Sequence, residues 1–146
     1  MIKSLFCLLF SLISLIIPYA VLSQNYNIIV TVTGLHNNNG KVILELYNSE
    51  DGYPKEPNKA YRTTSQIIAN NTCTIVLNNI PKGTYAIACY HDENDNGKLD
   101  TNFLGIPNEG VVASNNAKGF MGPPKFKDAK FDVDNNMSLT LKITYR

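Results

Sequence analysis

A short run of oxygen-bearing side chains in the second half of the chain has the spacing of a calcium-binding loop. The run reads Asp-Glu-Asn-Asp-Asn-Gly-Lys-Leu-Asp, and its positions one, three, five and nine are Asp92, Asn94, Asn96 and Asp100. Position six is Gly97, which permits the sharp turn that such a loop needs. Calcium takes about six to eight oxygen ligands, and alternate residues of a tight loop can converge on one point. The spacing therefore predicts a calcium site.

This run matches only part of the EF-hand pattern. Position twelve is Phe103, where the EF-hand has a bidentate Glu, and the residues before the run predict a strand instead of a helix. The missing carboxylate could come from Glu109, or from Asp95 or Glu93 by a different loop path. Lys98 can contribute only its backbone carbonyl. The candidate metal ligands are therefore the four residues named above together with Lys98 and Glu109.

The charge of this candidate site predicts weak binding. Asp92 and Asp100 are its two certain carboxylates, which places the expected dissociation constant in the extracellular range of about 10⁻⁴ to 10⁻³ M. A calcium ion bound in this way would be structural. The alternative is a turn without a metal, because Asp, Asn and Gly each favour tight or left-handed backbone.

Two arrangements around the same run would suit an enzyme. His91 precedes Asp92 and Ser114 lies downstream, so a base, an orienting carboxylate and a nucleophile are all present. Glu109 with Asp92 or Asp100 could instead form a carboxylate pair of the kind that hydrolases use. Against the first, the chain has no Gly-x-Ser-x-Gly motif, and adjacent strand residues point to opposite faces. For the second, metal binding or loop capping is the simpler role of these carboxylates. A hydrolase using Glu109, Asp92 and His91 is therefore the alternative hypothesis.

Four polar residues of this region are candidates for binding a ligand: His91, Ser114, Asn115 and Asn116. Each also has a simpler structural role, because Ser and Asn side chains cap short helical turns and a histidine can cap a strand end. The other histidine is His36, whose place beside the Asn37 to Gly40 turn predicts a solvated turn residue. The chain has no His-x-x-x-His or Cys-x-x-Cys spacing, so the sequence does not indicate a zinc enzyme.

The elements that position these residues are predicted to be strands. Apolar residues alternate with a period of two after residue 23, and no stretch has the spacing of an amphipathic helix. About seven strands are predicted, at residues 28–33, 42–46, 62–69, 73–77, 84–91, 129–133 and 139–145. The first two are expected to pair as a hairpin. This pattern predicts an all-β antiparallel sandwich, immunoglobulin-like or transthyretin-like, with a small barrel as the alternative.

Residues 92–127 interrupt the alternation and are predicted to form one long, ordered loop. Loops of this length are uncommon in compact domains and are usually functional. Phe103, Phe120 and Phe126 are expected to fold the loop back onto the sandwich as a satellite cluster. An exposed set of aromatic residues would instead mark a surface for a partner.

Cys73 and Cys89 are a candidate disulfide. If the strands that contain them form a hairpin that is symmetric about Pro81, the two residues lie directly opposite each other. An oxidising compartment would favour the bond. The alternative is a pair of buried thiols.

The composition predicts one folded domain. The chain has 146 residues, of which 44% are hydrophobic and 17% are charged, and its formal net charge is +1. These values exclude a disordered tail and a polybasic nucleic-acid binder. We therefore expect no nucleic-acid partner.

Residues 1–23 are predicted to be a signal peptide. A positive residue precedes an apolar stretch at 5–17, and Val21 and Ser23 lie at the small-residue cleavage positions. Residues 24–146 would then be a single domain that is secreted or periplasmic, without stable membrane insertion. The alternative is that the apolar stretch is kept as a membrane anchor.

Several longer motifs occur in an order that resembles a known family. They are Gly83-Thr84-Tyr85-Ala86, His91 to Asn94, Gly97 to Asp100, Gly105 to Gly110, Ser114 to Ala117 and Phe120 to Phe126. In this order they resemble the bacterial secreted family named domain of unknown function 2141. The resemblance implies an exported β-sandwich with a long loop and brings no established activity. The chain departs from the family at Val111 to Ala113, where a glycine- or aromatic-containing stretch is expected, so the loop should bend differently there.

These observations predict an exported β-sandwich that acts as a binding or structural module. Its loop 92–127 is expected to be ordered by calcium and to face an envelope or extracellular protein or ligand. The alternatives are the hydrolase described above and a structural module without calcium.

Overall fold

The computed structural model describes residues 24–146, which contain eight strands and three short helices. The predicted signal peptide, residues 1–23, lies outside the described residues. The strands are β1 Asn25–Thr33, β2 Lys41–Tyr47, β3 Arg62–Ile67, β4 Cys73–Pro81, β5 Gly83–Asp92, β6 Val111–Ala113, β7 Phe131–Val133 and β8 Met137–Lys142. The helices are the 3-10 helices Pro57–Lys59 and Ser114–Asn116 and the α-helix α1 Phe126–Ala129. Between residues 24 and 146, no helix is long and apolar enough to cross a membrane.

The strands form two sheets. The smaller sheet has the order β4-β1-β8, and the larger has the order β3-β2-β5-β6. β7 joins the larger sheet by pairing with the first three residues of β5, Gly83–Tyr85. All of these pairs are antiparallel except β1 with β8, which is parallel. The prediction of an all-β sandwich is confirmed, with eight strands and one parallel pair.

Apolar side chains from both sheets form one core. Ile28, Val30 and Val32 of β1 are fully buried, as are Val42 and Leu44 of β2. Alternate residues of a strand point to the same face, which is why the apolar residues of these strands recur at every second position. Each side chain of this size contributes about 1.5–3 kcal/mol when it is buried. The alternating positions therefore hold the two sheets together.

The first two strands do not form the predicted hairpin. β1 pairs with β4 and β8, whereas β2 pairs with β3 and β5 in the other sheet. Residues 34–40 cross between the sheets, and Leu35 is buried on the way. Two successive alternating strands have the same pattern whether they pair edge to edge or face each other. When β1 and β2 face each other across the core, the apolar faces of both strands are buried at once. This burial favours the facing arrangement over a hairpin.

β4 and β5 also belong to different sheets, so the predicted hairpin about Pro81 is wrong. Cys73 pairs with Val32 of β1, and Cys89 pairs with Leu44 of β2. Both cysteines are buried in the core as free thiols. Burial raises the pKa of Cys73 to about 11 and raises the pKa of Cys89 well above its ordinary value.

A strand inside the long loop was not predicted. Val111–Ala113 form β6, which pairs with Ala88–Tyr90 of β5. Backbone hydrogen bonds of 3.0 and 3.1 Å also join Val111 to Thr144, beyond the end of β8. β6 therefore connects the edges of the two sheets. Three residues are too few to show alternation, which is why the pattern did not indicate this strand.

Two loop segments cover the outer face of the larger sheet. Ala86 and Ala113 pack under Tyr53, which follows β2, and under Phe126 of α1. The two aromatic rings meet edge to face with their centroids 5.7 Å apart. Every residue of β2 after Lys41 is consequently buried, whichever face its side chain points to.

Candidate functional site

The end of β5 sends successive side chains to opposite faces of the larger sheet. His91 lies opposite Val42, whose side chain is in the core, and Asp92 lies opposite Lys41. Both His91 and Asp92 are fully buried. Two separate arrangements of polar side chains therefore begin at neighbouring residues.

The backbone of the predicted calcium loop folds around the Asp92 carboxylate. Asp92 Oδ1 accepts a hydrogen bond from the backbone nitrogen of Asn96 at 3.0 Å, and Oδ2 accepts one from Gly97 at 2.9 Å. Gly97 has a φ of +76°, a conformation that glycine adopts without steric cost. The loop thus closes on a buried carboxylate because a glycine stands at its sharpest turn.

Three further side chains meet in the same loop. Asn94 Nδ2 donates to Asp100 Oδ2 at 2.7 Å, and Asn96 Nδ2 lies 3.1 Å from both carboxylate oxygens of Asp100. The side-chain oxygen of Asn96 accepts a hydrogen bond from the backbone of Lys98 at 2.8 Å. The structure therefore brings four predicted metal ligands, Asp92, Asn94, Asn96 and Asp100, into one local hydrogen-bond network. Lys98 takes part through its backbone.

Glu109 closes the base of the loop. Its side chain is buried, and Oε1 accepts a hydrogen bond from the backbone nitrogen of Glu93 while Oε2 accepts one from Asp100, each at 3.0 Å. The backbone of Asn108 also donates to the carbonyl of Asp100 at 2.9 Å. Both oxygens of Glu109 thus hold the two ends of the run instead of pointing to its centre.

Lys41 is the cation nearest to the acidic side chains of the loop. Its ammonium lies 2.5 Å from Asp95 Oδ1 and 3.8 Å from Asp92 Oδ2. The hydrogen bond to Asp95 is the main reason why the pKa of Lys41 is raised. Lys41 balances part of the negative charge that the run concentrates at the end of β5.

His91 belongs to a second polar cluster, which no sequence pattern predicted. His36 Nε2 lies 3.0 Å from Glu93 Oε1, and the His36 ring stacks on the Tyr145 ring with centroids 3.9 Å apart. His91 Nδ1 lies 2.7 Å from the Tyr145 hydroxyl. His36 is exposed in the connection between β1 and β2, as expected, but its ring also contacts Glu93 and Tyr145, which was not expected. Only the arrangement of strands brings these distant positions together, so no local spacing could have indicated the cluster.

The Glu93 carboxylate of this cluster is held in its charged form. Partial burial opposes ionisation, but hydrogen bonds from Asn37 and His36 outweigh that effect, and the pKa of Glu93 lies below its ordinary value. Asn37 Nδ2 donates to Glu93 Oε2 at 3.0 Å. The cluster therefore combines two imidazoles with one carboxylate that is negatively charged at neutral pH.

Ser114 has a structural role. Its hydroxyl is fully buried, accepts a hydrogen bond from the backbone nitrogen of Ile87 at 2.9 Å and donates to the carbonyl of Ala129 at 2.5 Å. The hydroxyl thus links β5 to the end of α1. A serine that is committed in this way and shielded from solvent does not support the hydrolase hypothesis.

Asn115 and Asn116 also hold backbone together. Asn115 Nδ2 donates to the carbonyl of Lys130 at 3.0 Å, and Asn116 Oδ1 accepts a hydrogen bond from the backbone nitrogen of Lys142 at 2.8 Å. Asn115 has a φ of 60°, a left-handed conformation that Asn tolerates better than most residues. These contacts give the two candidate ligand-binding residues a role in joining the loop to α1 and β8.

The long loop exposes two apolar tips. Phe103 and Leu104 are 94% and 67% exposed, and Phe120 and Met121 are 95% and 93% exposed. Of the three phenylalanines expected to form a satellite cluster, only Phe126 packs against the sheet. The other two, Phe103 and Phe120, are exposed, as in the alternative arrangement.

A buried acid on the outer face of the larger sheet was also not predicted. The Tyr47 hydroxyl donates to Glu45 Oε2 at 2.7 Å, and Glu45 is only 3% exposed. Burial raises the pKa of Glu45, although the hydrogen bond from Tyr47 partly opposes the shift. Glu45 alternates with the core residues Leu44 and Leu46, so the sequence pattern predicts an exposed side chain, and its burial results from the segments that cover the outer face.

The fold and the loop define an all-β sandwich with a long segment inserted between two of its strands. The chain belongs to a family described as uncharacterized protein conserved in bacteria (DUF2141), whose sequence profile matches residues 30–140. The resemblance stated from the motifs is thereby confirmed. Neither the comparison with curated proteins nor that with solved structures gives a match.

Proposed function

We propose that the protein is an exported binding module in which one calcium ion orders the loop 92–127 and thereby positions two apolar tips. The partner is an envelope or extracellular protein. The observation that carries this proposal is the hydrogen-bond network that joins Asp92, Asn94, Asn96 and Asp100. Export is supported by the apolar stretch at residues 5–17.

The side chains of the loop suit a hard cation. Calcium prefers carboxylate, amide and backbone carbonyl oxygens, and these are the groups that Asp92, Asp100 and the two asparagines carry. An ionised carboxylate has about four lone-pair sites. Asp92 can therefore keep its hydrogen bonds to Asn96 and Gly97 and still bind a cation. The backbone carbonyl of Lys98 completes the donor set, and Glu109 supports the loop from below.

The apolar tips supply the binding surface. Phe103 and Phe120 are almost fully exposed, so each gains about 1.5–3 kcal/mol when a partner buries it. Binding also has to overcome the cost of ordering the loop that carries them. A loop that calcium has already ordered loses less conformational entropy on binding, and the metal and the partner should therefore favour each other.

The proposal is tested by thermal denaturation in a chelator and across a calcium titration, with magnesium as the competing hard cation. A ligand that binds only the folded state adds about 2.7 kcal/mol at 100 times its dissociation constant. For a domain of this size, that gain raises the melting temperature by on the order of 10 °C. Asp100→Asn should abolish the calcium-dependent rise, because the substitution removes one of two ligand charges at almost constant shape.

Asp134→Asn is the matched control, because Asp134 is exposed in the turn between β7 and β8. It should keep the full response to calcium. An unchanged melting temperature in calcium, or an equal rise in magnesium, would overturn the proposal. Resistance of the loop to protease, measured with and without calcium, gives the same answer without relying on global stability.

A further inference from the structure

Three separate segments of the chain meet at one end of the sandwich. The connection between β1 and β2 contributes His36, the end of β5 contributes His91 and Glu93, and the C-terminal residues contribute Tyr145. Within residues 24–146, the only three His, Cys, Asp or Glu side chains whose ligand atoms all lie within 4.8 Å of one another are His36, His91 and Glu93. The chain has two histidines in all, and both are here.

The separations of the three ligand atoms suit a tetrahedral metal ion. Zinc bonds to imidazole nitrogen and carboxylate oxygen are about 2.0–2.1 Å long, so neighbouring ligand atoms in a tetrahedral site are roughly 3.3 Å apart. Glu93 Oε1 lies 3.0 Å from His36 Nε2 and 3.9 Å from His91 Nδ1. These distances lie on either side of the ideal value, and small side-chain rotations would satisfy both.

The surroundings of His91 prepare Nδ1 for a metal. His91 Nε2 lies 2.8 Å from the backbone carbonyl oxygen of Asn39, which can only accept a hydrogen bond. Nε2 therefore carries the proton, and Nδ1 keeps its lone pair. Metal-binding histidines usually donate their second N–H to a carbonyl or a carboxylate in this way. The Tyr145 hydroxyl donates to this lone pair at 2.7 Å and has to rotate away from Nδ1 when a metal binds there.

The Glu93 carboxylate is oriented in the same manner. Asn37 Nδ2 donates to Oε2 at 3.0 Å, which leaves Oε1 facing the two imidazoles. The site also has a path to solvent, because the side chains of His36 and Glu93 are 49% and 28% exposed. His91 and Glu93 are the more buried ligands of the site. Each is held by a hydrogen bond to the connection between β1 and β2, His91 through Asn39 and Glu93 through Asn37.

We propose that His36 Nε2, His91 Nδ1 and Glu93 Oε1 bind a divalent transition metal of the zinc type. On binding, the metal takes the place of the Tyr145 hydroxyl at the Nδ1 lone pair of His91 and also replaces the hydrogen bond between His36 and Glu93, and the His36 imidazole carries its proton on Nδ1 instead. Two imidazoles and a carboxylate are a donor set that suits zinc. Calcium is not expected here, because it takes only oxygen ligands.

The ligands of this site differ from those of the proposed calcium site, although Glu93 lies in the same run of residues. Asp92 points to the outer face of the sheet, whereas His91 and Glu93 flank it and point to the other side. The metal would join the β1–β2 connection, the end of β5 and the C-terminal residues. Because these segments follow strands of both sheets, metal binding should raise the free energy of unfolding of the whole sandwich.

The test uses the purified protein without a histidine tag, titrated with zinc against a chromophoric chelator. One equivalent should bind, and cobalt in place of zinc should give the visible absorption of a tetrahedral site. Nitrogen-15 NMR should show His36 Nε2 and His91 Nδ1 shifting on metal addition, and the assignment is simple because the chain has two histidines. Binding with no shift at either imidazole, or no saturable binding, would overturn the proposal.

Two variants identify the ligands. His36→Ala and Glu93→Gln should each weaken zinc binding by at least tenfold, because each removes one of three ligands. Glu56→Gln is the matched control, since Glu56 is exposed beside the 3-10 helix Pro57–Lys59, and it should bind zinc like the unmodified protein. Equal affinity in all three variants would overturn the assignment. Glu93→Gln keeps the acceptor for Asn37, and its melting temperature checks that the fold is intact.

The zinc and calcium proposals are distinguished by crossing the variants. Asp100→Asn should leave zinc binding unchanged while it removes the calcium response, and His36→Ala should do the reverse. Loss of zinc binding in Asp100→Asn would show that one mixed site holds both ions and would overturn the separate site at His36.

Discussion

His91 and Asp92 are adjacent in sequence, and both are fully buried, yet their side chains lie on opposite faces of the larger sheet. Asp92 organises the loop that follows β5, whereas His91 contacts Tyr145 at the end of the sandwich. The pleat of the strand is the cause, because successive side chains of a strand alternate between its faces. A single strand end therefore contributes to two clusters of polar side chains with different chemistry.

Glu109→Gln should destabilise the protein by about 1–3 kcal/mol. Glu109 accepts hydrogen bonds from two backbone nitrogens, and a glutamine at this buried position has one oxygen to offer and turns its NH₂ group toward the other donor. Urea denaturation measures the free energy of unfolding, and limited proteolysis should show faster cleavage within 92–110. Glu50→Gln, at an exposed position, should change neither. Equal stability of the two variants would contradict the role assigned to Glu109.

Ser114→Ala should cost a similar amount, about 1–3 kcal/mol. It leaves the backbone nitrogen of Ile87 and the carbonyl of Ala129 without the buried hydroxyl that satisfies both. Ser138→Ala, on the exposed side of β8, is the control and should have almost no effect on the urea midpoint. If Ser114 were a nucleophile with no structural role, its loss would leave the midpoint unchanged.

Glu45→Gln should be more stable than the parent chain at neutral pH, and this advantage should shrink toward acid pH. Burial is the main cause of the raised pKa of Glu45 in the folded state. The protonated Glu45 carboxyl contributes fully to the free energy of unfolding at pH values below its pKa in the unfolded chain. This contribution is lost as the pH rises through its pKa in the folded protein. A glutamine stays neutral and can still accept the hydrogen bond from Tyr47.

The measurement for Glu45 is urea denaturation from pH 4 to pH 8 in steps. The difference in unfolding free energy between Glu45→Gln and the parent chain should grow in favour of the variant across this window. Glu50→Gln, whose carboxylate is exposed, should show no such trend. A difference that is constant with pH would mean that Glu45 titrates alike in the folded and unfolded states.

Cys73 and Cys89 should behave as two free, protected thiols. Burial is the first cause of the raised pKa of each, to about 11 for Cys73, so neither forms an appreciable thiolate at pH 8 in the folded protein. Alkylation without reductant should add nothing to the native protein. After denaturation it should add two groups to the chain from residue 24 onward, as intact mass would show. No added group after denaturation would identify a disulfide.

Much of the architecture could be predicted from the sequence because its causes are local. The period-two alternation of Ile28, Val30 and Val32 depends only on which faces are buried, and it indicated an all-β sandwich correctly. The spacing of Asp92, Asn94, Asn96 and Asp100 is likewise local, and these side chains do meet in one network. Turn chemistry and side-chain alternation operate over a few residues, and both can be seen in the chain before it folds.

The partners of each strand were decided only by the tertiary structure. Alternation states that a strand has an apolar face and does not state whether its neighbour in sequence lies beside it or across the core. β1 and β2 therefore separated into different sheets, and so did the strands of Cys73 and Cys89. The meeting of His36 with Glu93, and of His91 with Tyr145, followed from that arrangement. Contacts between distant segments depend on burying the apolar faces of the whole chain at once, and no local pattern contains that information.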